Sequence, residues 1–161
     1  MNRVELIKKI YRGRLARVLR IASGAAVLLV AAALALELIP RLFAGDFLSV
    51  VFAAVTLGVP FILVSLLRRL LSLPRPCDLY DFGVGVTHGG GSFPSRHAYS
   101  SFAIGTYLSF LSLPLGIITL ALAIVISASR VLLGLHFVRD VIAGALIGIF
   151  GAVFGALLFL F

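Results

Sequence analysis

Long apolar stretches separated by short polar segments dominate the chain. Five of them are long enough to be membrane spans: 21–39, 47–67, 95–113, 115–133 and 137–161. Because an α-helix needs about 20 apolar residues to cross the hydrocarbon core of a bilayer, each stretch predicts one transmembrane helix. The predicted fold class is therefore all-α, an integral membrane helical bundle with about five transmembrane helices.

Prolines and glycines mark where the predicted helices end, bend or pack. Pro40 closes the first span, Pro60 bends the second because it removes a backbone hydrogen bond, and Pro114 marks a tight turn. Segment 68–94 is predicted to be the one long loop. The fifth span carries four glycines at spacings that favour close helix packing within the bundle over a dimer interface: Gly144, Gly148, Gly151 and Gly155.

The first 20 residues are basic and amphipathic. They contain seven Arg and Lys residues against the single acid Glu5, with apolar residues loosely at helical spacing. This pattern predicts an interfacial helix over 1–20, lying on the membrane surface, followed by one transmembrane domain over 21–161. A cleaved signal peptide is disfavoured because the charged region is too long and no Ala-x-Ala site follows it closely.

Composition excludes a water-soluble protein. The chain is 61% hydrophobic and 12% charged, whereas soluble domains are about 45–50% apolar and about 25% charged. The net charge of +8 does not indicate nucleic acid here, because membrane proteins use basic residues to set their orientation. The lone Cys77 excludes an internal disulfide and a Cys-rich metal site, and we interpret it as an incidental thiol.

Charged and histidine residues gather where the predicted spans end. Following the chain through its crossings places eight of them on one membrane face: Arg68, Arg75, Arg96, His97, Arg130, His136, Arg139 and Asp140. The opposite face holds only Arg41 and Asp46. Anchoring in lipid headgroups accounts for Arg69 and Arg139, but it does not account for two histidines and an aspartate in the same cluster.

This cluster suits phosphate chemistry. Converging guanidinium groups bind phosphate with bidentate hydrogen bonds, and Ser95 begins a helix whose free N–H groups at residues 96–98 point towards an anion. His136 and Asp140 are four residues apart, which predicts that they share one face of the helix that opens the fifth span. Asp140 can therefore orient the His136 imidazole as a nucleophile, which leaves His97 as the general acid. A metal site built from the same residues is disfavoured because the arginines would repel a divalent cation. His88, in the loop, is interpreted as a solvated residue.

The same residues resemble the three motifs of the type 2 phosphatidic acid phosphatase superfamily. Those motifs are Lys-x6-Arg-Pro, Pro-Ser-Gly-His and Ser-Arg-x5-His-x3-Asp. Here they read Arg68-x6-Arg75-Pro76, Pro94-Ser95-Arg96-His97, and Ser129-Arg130 followed by His136 and Asp140. Arg68 replaces the first Lys, and Arg96 replaces Gly, where it either adds a phosphate contact or faces lipid headgroups.

The resemblance implies a metal-independent lipid phosphatase without a cofactor. It implies His136 as the phosphorylated nucleophile, Asp140 as its orienting group and His97 as the acid, with Arg68, Arg75, Ser95 and Arg130 binding phosphate; Arg96 is added as a candidate. Substrates of this class include phosphatidylglycerol phosphate, phosphatidic acid, polyprenyl diphosphate and lipid A 1-phosphate. Lipid phosphotransfer and non-catalytic transport of an anion or lipid remain alternatives.

Location and orientation follow from the spans and the charges. We expect an integral protein of a prokaryotic cell (inner) membrane, with its oligomeric state left open. The seven basic residues before the first span favour a cytoplasmic N-terminus, and the site returns to the same side two crossings later. Members of the family often face outward, so both orientations stay open.

Overall fold

The computed structural model describes Glu5 and residues 13–79 and 91–159. Across these ranges the chain forms helices without strands, which confirms the all-α prediction. The helices are α1 (Arg14–Phe43), α2 (Phe47–Leu71), α3 (Pro76–Leu79), α4 (Arg96–Leu111), α5 (Leu113–Leu132) and α6 (Val138–Phe159).

Among the described residues, four segments are long and apolar enough to cross a membrane: Arg14–Phe43, Phe47–Leu79 (α2 together with α3), Leu113–Leu132 and Val138–Leu158. Many of their large apolar side chains point outward, among them Leu28, Leu36, Phe150 and Phe154. In a bilayer such side chains face lipid instead of water, as expected for an integral membrane protein.

The predicted third span corresponds to α4, which is shorter than the other spans. Its 16 residues extend about 24 Å at 1.5 Å per residue, less than the hydrocarbon thickness of about 30 Å. This helix lies at the centre of the bundle, where it packs mainly against α5 and α6. Protein neighbours cover much of it, so it can carry more polar residues, such as Ser101 and Ser109, than a lipid-facing helix could.

Both ends of the first span differ from the prediction. Helix α1 begins at Arg14 and continues without a break through residue 20, so the predicted boundary between interfacial helix and span is not a helix end. Except for Glu5 and residues 13–20, the predicted interfacial helix lies outside the described residues. At the other end, α1 passes Pro40 and stops at Phe43, since a proline removes one N–H but leaves its own carbonyl free to accept from Ala44 at 2.9 Å.

Helix α2 carries the chain from the opposite face to the candidate site. Asp46 caps it by accepting a hydrogen bond from the N–H of Ser49 at 3.2 Å, and Ser72 ends it in the left-handed region with φ 41°. The helix therefore ends at Leu71, four residues beyond the predicted end at residue 67, and it includes Arg68. Near Pro60, the Tyr99 hydroxyl of α4 donates to the carbonyl of Leu57 at 2.7 Å, which ties the two helices together.

Small residues bring α6 close to α4. A side chain at Gly144 would overlap the carbonyl oxygen of Ser95, and one at Gly148 would overlap that of Tyr99. A side chain at Gly155 would overlap the side chain of Thr56 on α2, whereas Gly151 has room beside Pro60. The predicted role of these glycines in packing the bundle is thus observed at three of the four positions. The contact at Gly144 places the start of α6 against the start of α4.

Candidate active site

The starts of α4 and α6 are joined directly. Ser95, fully buried, donates its backbone N–H to the carbonyl oxygen of Asp140 at 2.9 Å. Its hydroxyl accepts from the N–H of Ala98 at 3.5 Å and so caps α4. Of the three N–H groups predicted to face an anion, that of Ala98 is therefore already paired, which corrects the sequence analysis at that position.

His136 and Asp140 lie together beneath the surface. His136 is 4% exposed and Asp140 is fully buried, with 3.7 Å between the imidazole Nδ1 and the carboxylate Oδ2. The sequence placed His136 on the helix itself, but α6 begins at Val138 and His136 lies in the turn before it. The turn is held by the His136 N–H, which donates to the carbonyl of Arg130 at 3.3 Å.

Asp140 has two structural contacts besides His136. Its Oδ2 accepts from the backbone N–H of Phe137 at 2.9 Å, so the carboxylate caps the helix that carries it. Its Oδ1 lies 3.6 Å from Nε of Arg139, a side chain that is 66% exposed and stacks over the Phe137 ring at 5.1 Å. Arg139 was expected to anchor in lipid headgroups, and its contact with Asp140 was not predicted, although the two residues are neighbours in the chain.

The His136 imidazole is neutral at physiological pH. Burial, together with the positive charges of Arg68 and Arg75, lowers the pKa of His136 to about 3. A neutral imidazole keeps a nitrogen lone pair available for attack on an electrophile. The same positive charges that keep it neutral would attract a phosphate group to it.

Arg68 is buried and holds the chain that leads into α4. Its Nη1 donates to the carbonyl oxygens of Ser92 at 3.4 Å and Pro94 at 3.3 Å. Ser92 in turn donates its N–H to Leu73 at 2.7 Å and its hydroxyl to the carbonyl of Pro74 at 3.0 Å. The segment that carries Arg75 is thus fixed beside the segment that carries Ser95.

Two further arginines bring unpaired donors to the site. Among the described residues, Nε of Arg75 and Nε of Arg130 are buried without a hydrogen-bond partner, as are Nδ1 of His136 and Oδ1 of Asp140. Buried polar groups are normally hydrogen-bonded, so unpaired ones at one place need an explanation. Donors on guanidinium groups beside a neutral imidazole are arranged to receive an anion.

Arg96 and His97 lie at the surface side of the cluster. Both are exposed at the start of α4, and both line a cavity of about 310 Å³ whose other walls come from α1, α2, α4 and α5. Arg69 is also exposed and lies on α2 next to Arg68. His88 lies outside the described residues.

The structure therefore brings the predicted site residues together near the starts of α4 and α6, where positive charges of the arginines lie close enough to act on both histidines. Within 13–79 and 91–159, no group of three or more His, Cys, Asp or Glu side chains is placed to hold a metal ion. Cys77 donates its backbone N–H to the carbonyl of Gly134 at 3.0 Å, which links α3 to the turn that carries His136. The carbonyl groups of Ser92 and Pro94 were not predicted, because a backbone oxygen leaves no mark in a sequence motif.

Comparison with known proteins defines the class. The family model of the PAP2 superfamily matches residues 47–160, and the chain belongs to this superfamily. The resemblance inferred from the three motifs is thereby confirmed.

Individual relatives are similar over parts of the chain. A lipid A 4'-phosphatase from Bacteroides thetaiotaomicron is 38% identical over 96 residues, which is 54% of this chain and 43% of the relative. The bacitracin transport permease protein BcrC from Bacillus licheniformis is 40% identical over 63 residues, 39% of this chain and 31% of the relative. The chain spans less than half the length of these curated relatives.

A solved structure shares the fold. The crystal structure of a transmembrane PAP2-type phosphatidylglycerolphosphate phosphatase from Bacillus subtilis matches 96% of this chain and 90% of its own, with a TM-score of 0.54 and 24% identity. This similarity supports a transmembrane helical architecture for the chain.

Proposed function

We propose that the chain is a membrane lipid phosphatase that works through a phosphohistidine at His136. The observation that carries this proposal is the set of unpaired donors of Arg75 and Arg130 beside a buried, neutral His136 whose Nδ1 lies 3.7 Å from the carboxylate of Asp140. Uncatalysed hydrolysis of phosphate monoesters is among the slowest biological reactions, so a site that neutralises phosphate and presents a nucleophile has a large barrier to lower.

In the first step, Nε2 of His136 attacks the phosphorus atom while Nδ1 faces Asp140. The P–N bond forms as the P–O bond to the lipid breaks. His97, whose protonated form is stabilised by the negative charge of the bound phosphate against the surrounding arginines, gives its proton to the departing oxygen. The guanidinium groups of Arg75 and Arg130, with Arg68 behind them and Ser95 at the helix start, stabilise the negative charge on the phosphoryl oxygens.

In the second step, water attacks the phosphohistidine. His97, now neutral, takes a proton from the water, the P–N bond breaks, and inorganic phosphate leaves. The arginine side chains offset the phosphate charge in both steps, so the proposed mechanism uses neither metal nor cofactor.

The substrate class follows from the setting of the site. Arg96 and His97 line an otherwise mostly apolar cavity between helices that are apolar enough to span a membrane, which fits a phosphate carried on a lipid chain. Proposed substrates are phosphatidylglycerol phosphate, phosphatidic acid, polyprenyl diphosphate and lipid A 1-phosphate. The relatives named for lipid A and phosphatidylglycerol phosphate support this class.

The test is phosphate release by the purified chain from each of these lipids in detergent micelles. We expect turnover by the wild type and by Arg69→Gln, which changes an exposed arginine beside the site, and essentially none by His136→Ala. Labelled lipid phosphate should leave an acid-labile, base-stable label on the wild type and none on His136→Ala. A label that persists in His136→Ala would contradict the proposed nucleophile.

The same assay separates hydrolysis from the alternatives. Adding an acceptor alcohol to the reaction reveals phosphotransfer as a phosphorylated alcohol in place of inorganic phosphate. A chain that binds lipid phosphates but neither releases phosphate nor becomes labelled would instead be a non-catalytic binding or transport protein.

A further inference from the structure

Arg96 differs from the other arginines of the cluster in its surroundings. Arg68 is buried and bonded to two carbonyl oxygens, and Arg75 and Arg130 each have a buried Nε donor without a hydrogen-bond partner. Arg96 is exposed and lines the cavity of about 310 Å³ together with His97. A phosphate held by the buried arginines therefore leaves Arg96 available for another group.

The cavity that Arg96 lines is otherwise largely apolar. Its walls include Val27, Val30, Phe61, Ile104 and Ile126. A second apolar cavity of about 400 Å³ continues deeper between α1, α2 and α4 and shares Phe61, Ser100 and Ile104 with the first. Both volumes lie within the range of about 300–1,000 Å³ that is usual for ligand sites.

His97 fixes which part of a substrate would meet Arg96. In the proposed mechanism His97 protonates the departing oxygen, so the cavity that it lines belongs to the leaving group and not to the transferred phosphate. Arg96 directly precedes His97. Its positive charge lies close enough to both His97 and Arg68 to repel a positive charge on either side chain. A leaving group with an apolar chain and a negative charge near the departing oxygen would complement these walls.

We propose that Arg96 selects substrates whose leaving group carries a second anionic group, a phosphate or a phosphodiester, close to its apolar chain. This inference rests on the proposed phosphatase function and narrows the range of substrates proposed for it. A lipid diphosphate would place its second phosphate directly beside Arg96, and a phosphatidylglycerol phosphate would place its phosphodiester a few bonds further along. A phosphatidic acid, whose leaving group is neutral, gains nothing from Arg96.

The sharpest test uses two substrates with the same chain, farnesyl diphosphate and farnesyl monophosphate. A hydrogen bond to a charged group is typically strong enough that its loss lowers kcat/KM by about 10–100-fold. We expect Arg96→Gln to cause a loss of that size for the diphosphate and a change of less than about threefold for the monophosphate. Arg96→Lys should recover part of the loss, and Arg69→Gln should change neither value.

The source of the second anion is tested with dioleoyl lipids. Phosphatidylglycerol phosphate and phosphatidic acid carry the same acyl chains, but only the former has a phosphodiester in the leaving group. The proposal is supported if Arg96→Gln lowers kcat/KM selectively for the diphosphate, for phosphatidylglycerol phosphate, or for both. The substrate that is affected identifies the anion that Arg96 binds. An equal loss on all substrates would place Arg96 on the transferred phosphate, and no loss would leave it facing headgroups only; either result overturns the proposal.

Binding distinguishes this inference from the proposed function. A non-hydrolysable farnesyl methylenediphosphonate should bind more tightly than farnesyl phosphonate to the wild type, and Arg96→Gln should remove the difference. If the wild type releases no phosphate yet shows this pattern, the phosphatase proposal fails and the anion site remains. If the two ligands bind equally, the assignment of Arg96 is wrong whether or not the chain is a phosphatase.

Discussion

The two histidines of the site differ in exposure in the way that their proposed roles require. His136 is 4% exposed, where a nucleophile is shielded from competing water, and His97 is exposed at the cavity, where a leaving group can reach it. Loss of a general acid commonly costs about 10²–10⁴-fold in rate. We expect a loss of that size for His97→Ala on a lipid phosphate.

The leaving group provides the check on that assignment. A nitrophenolate departs without much help from a proton, so the penalty of His97→Ala should shrink strongly on nitrophenyl phosphate. The measurement is kcat/KM for both substrates in the wild type and the variant. An equal penalty on both substrates would show that His97 binds the phosphate instead of protonating the leaving oxygen.

The lowered pKa of His136 predicts how stability depends on pH. In the unfolded chain the imidazole takes up a proton below about pH 6.5, whereas in the folded chain it stays neutral down to about pH 3. Between these values the unfolded state binds more protons, so folding stability falls as the pH falls. The contribution between pH 7 and pH 5 is about 2 kcal/mol.

Thermal unfolding in detergent tests this expectation. The wild type should lose more stability between pH 7 and pH 5 than His136→Gln, which cannot take up that proton. Arg69→Gln should behave as the wild type does. If the wild type and His136→Gln lose the same amount, the folded imidazole titrates near its ordinary pKa.

At the residue scale, sequence motifs identified the side chains that meet but not all of what they meet. Ser95, Arg130, His136 and Asp140 were recognisable because each chemistry needs a particular side chain at a particular spacing. The carbonyl acceptors of Arg68 could not be recognised, because any residue supplies a carbonyl and only the folded backbone aims it. The contact of Arg139 with Asp140 could not be recognised, since a basic residue at a span end has the same pattern whether or not it also contacts a neighbouring acid.

At the scale of the elements, the contact between α4 and α6 positions the site. Gly148 lies against the backbone of α4, so Gly148→Ala forces the helices apart and should destabilise the fold by about 1–3 kcal/mol. Gly151→Ala on the same helix has ordinary contact distance to Pro60 and should be neutral or slightly stabilising. Unfolding midpoints of the two variants in detergent measure the difference, and equal midpoints would contradict the packing role.

Hydropathy predicted that the helices exist but not where each one ends. It reports contact with lipid, while a helix ends where its backbone hydrogen bonds stop. Helix α1 therefore passes Pro40, and α2 continues through the polar Arg68 and Arg69 to Leu71. Helix α4 is shorter and more polar than the other spans. Its central position keeps it away from lipid, so it does not need the length and apolar surface of a lipid-facing helix.

At the scale of the whole molecule, the two faces of the bundle carry different charges. On one face lie the arginines of the candidate site, and on the other Arg41 lies between Glu37 at 3.6 Å and Asp46 at 3.9 Å. The acidic partners offset Arg41, so the net positive charge is concentrated on the site face. Basic residues favour the cytoplasmic side, and the basic N-terminal segment precedes a first span that starts from the same face.

We therefore predict that the site faces the cytoplasm, and cysteine labelling in intact cells tests it. In a Cys77→Ser background, Ala44→Cys places a thiol on the exposed turn between α1 and α2, and Arg69→Cys places one on the site face. An impermeant maleimide should label Ala44→Cys in intact cells and Arg69→Cys only after the membrane is permeabilised. The reverse pattern would place the site outside, and it would mean that the arginines of the site are there to bind phosphate and do not set the orientation of the helices.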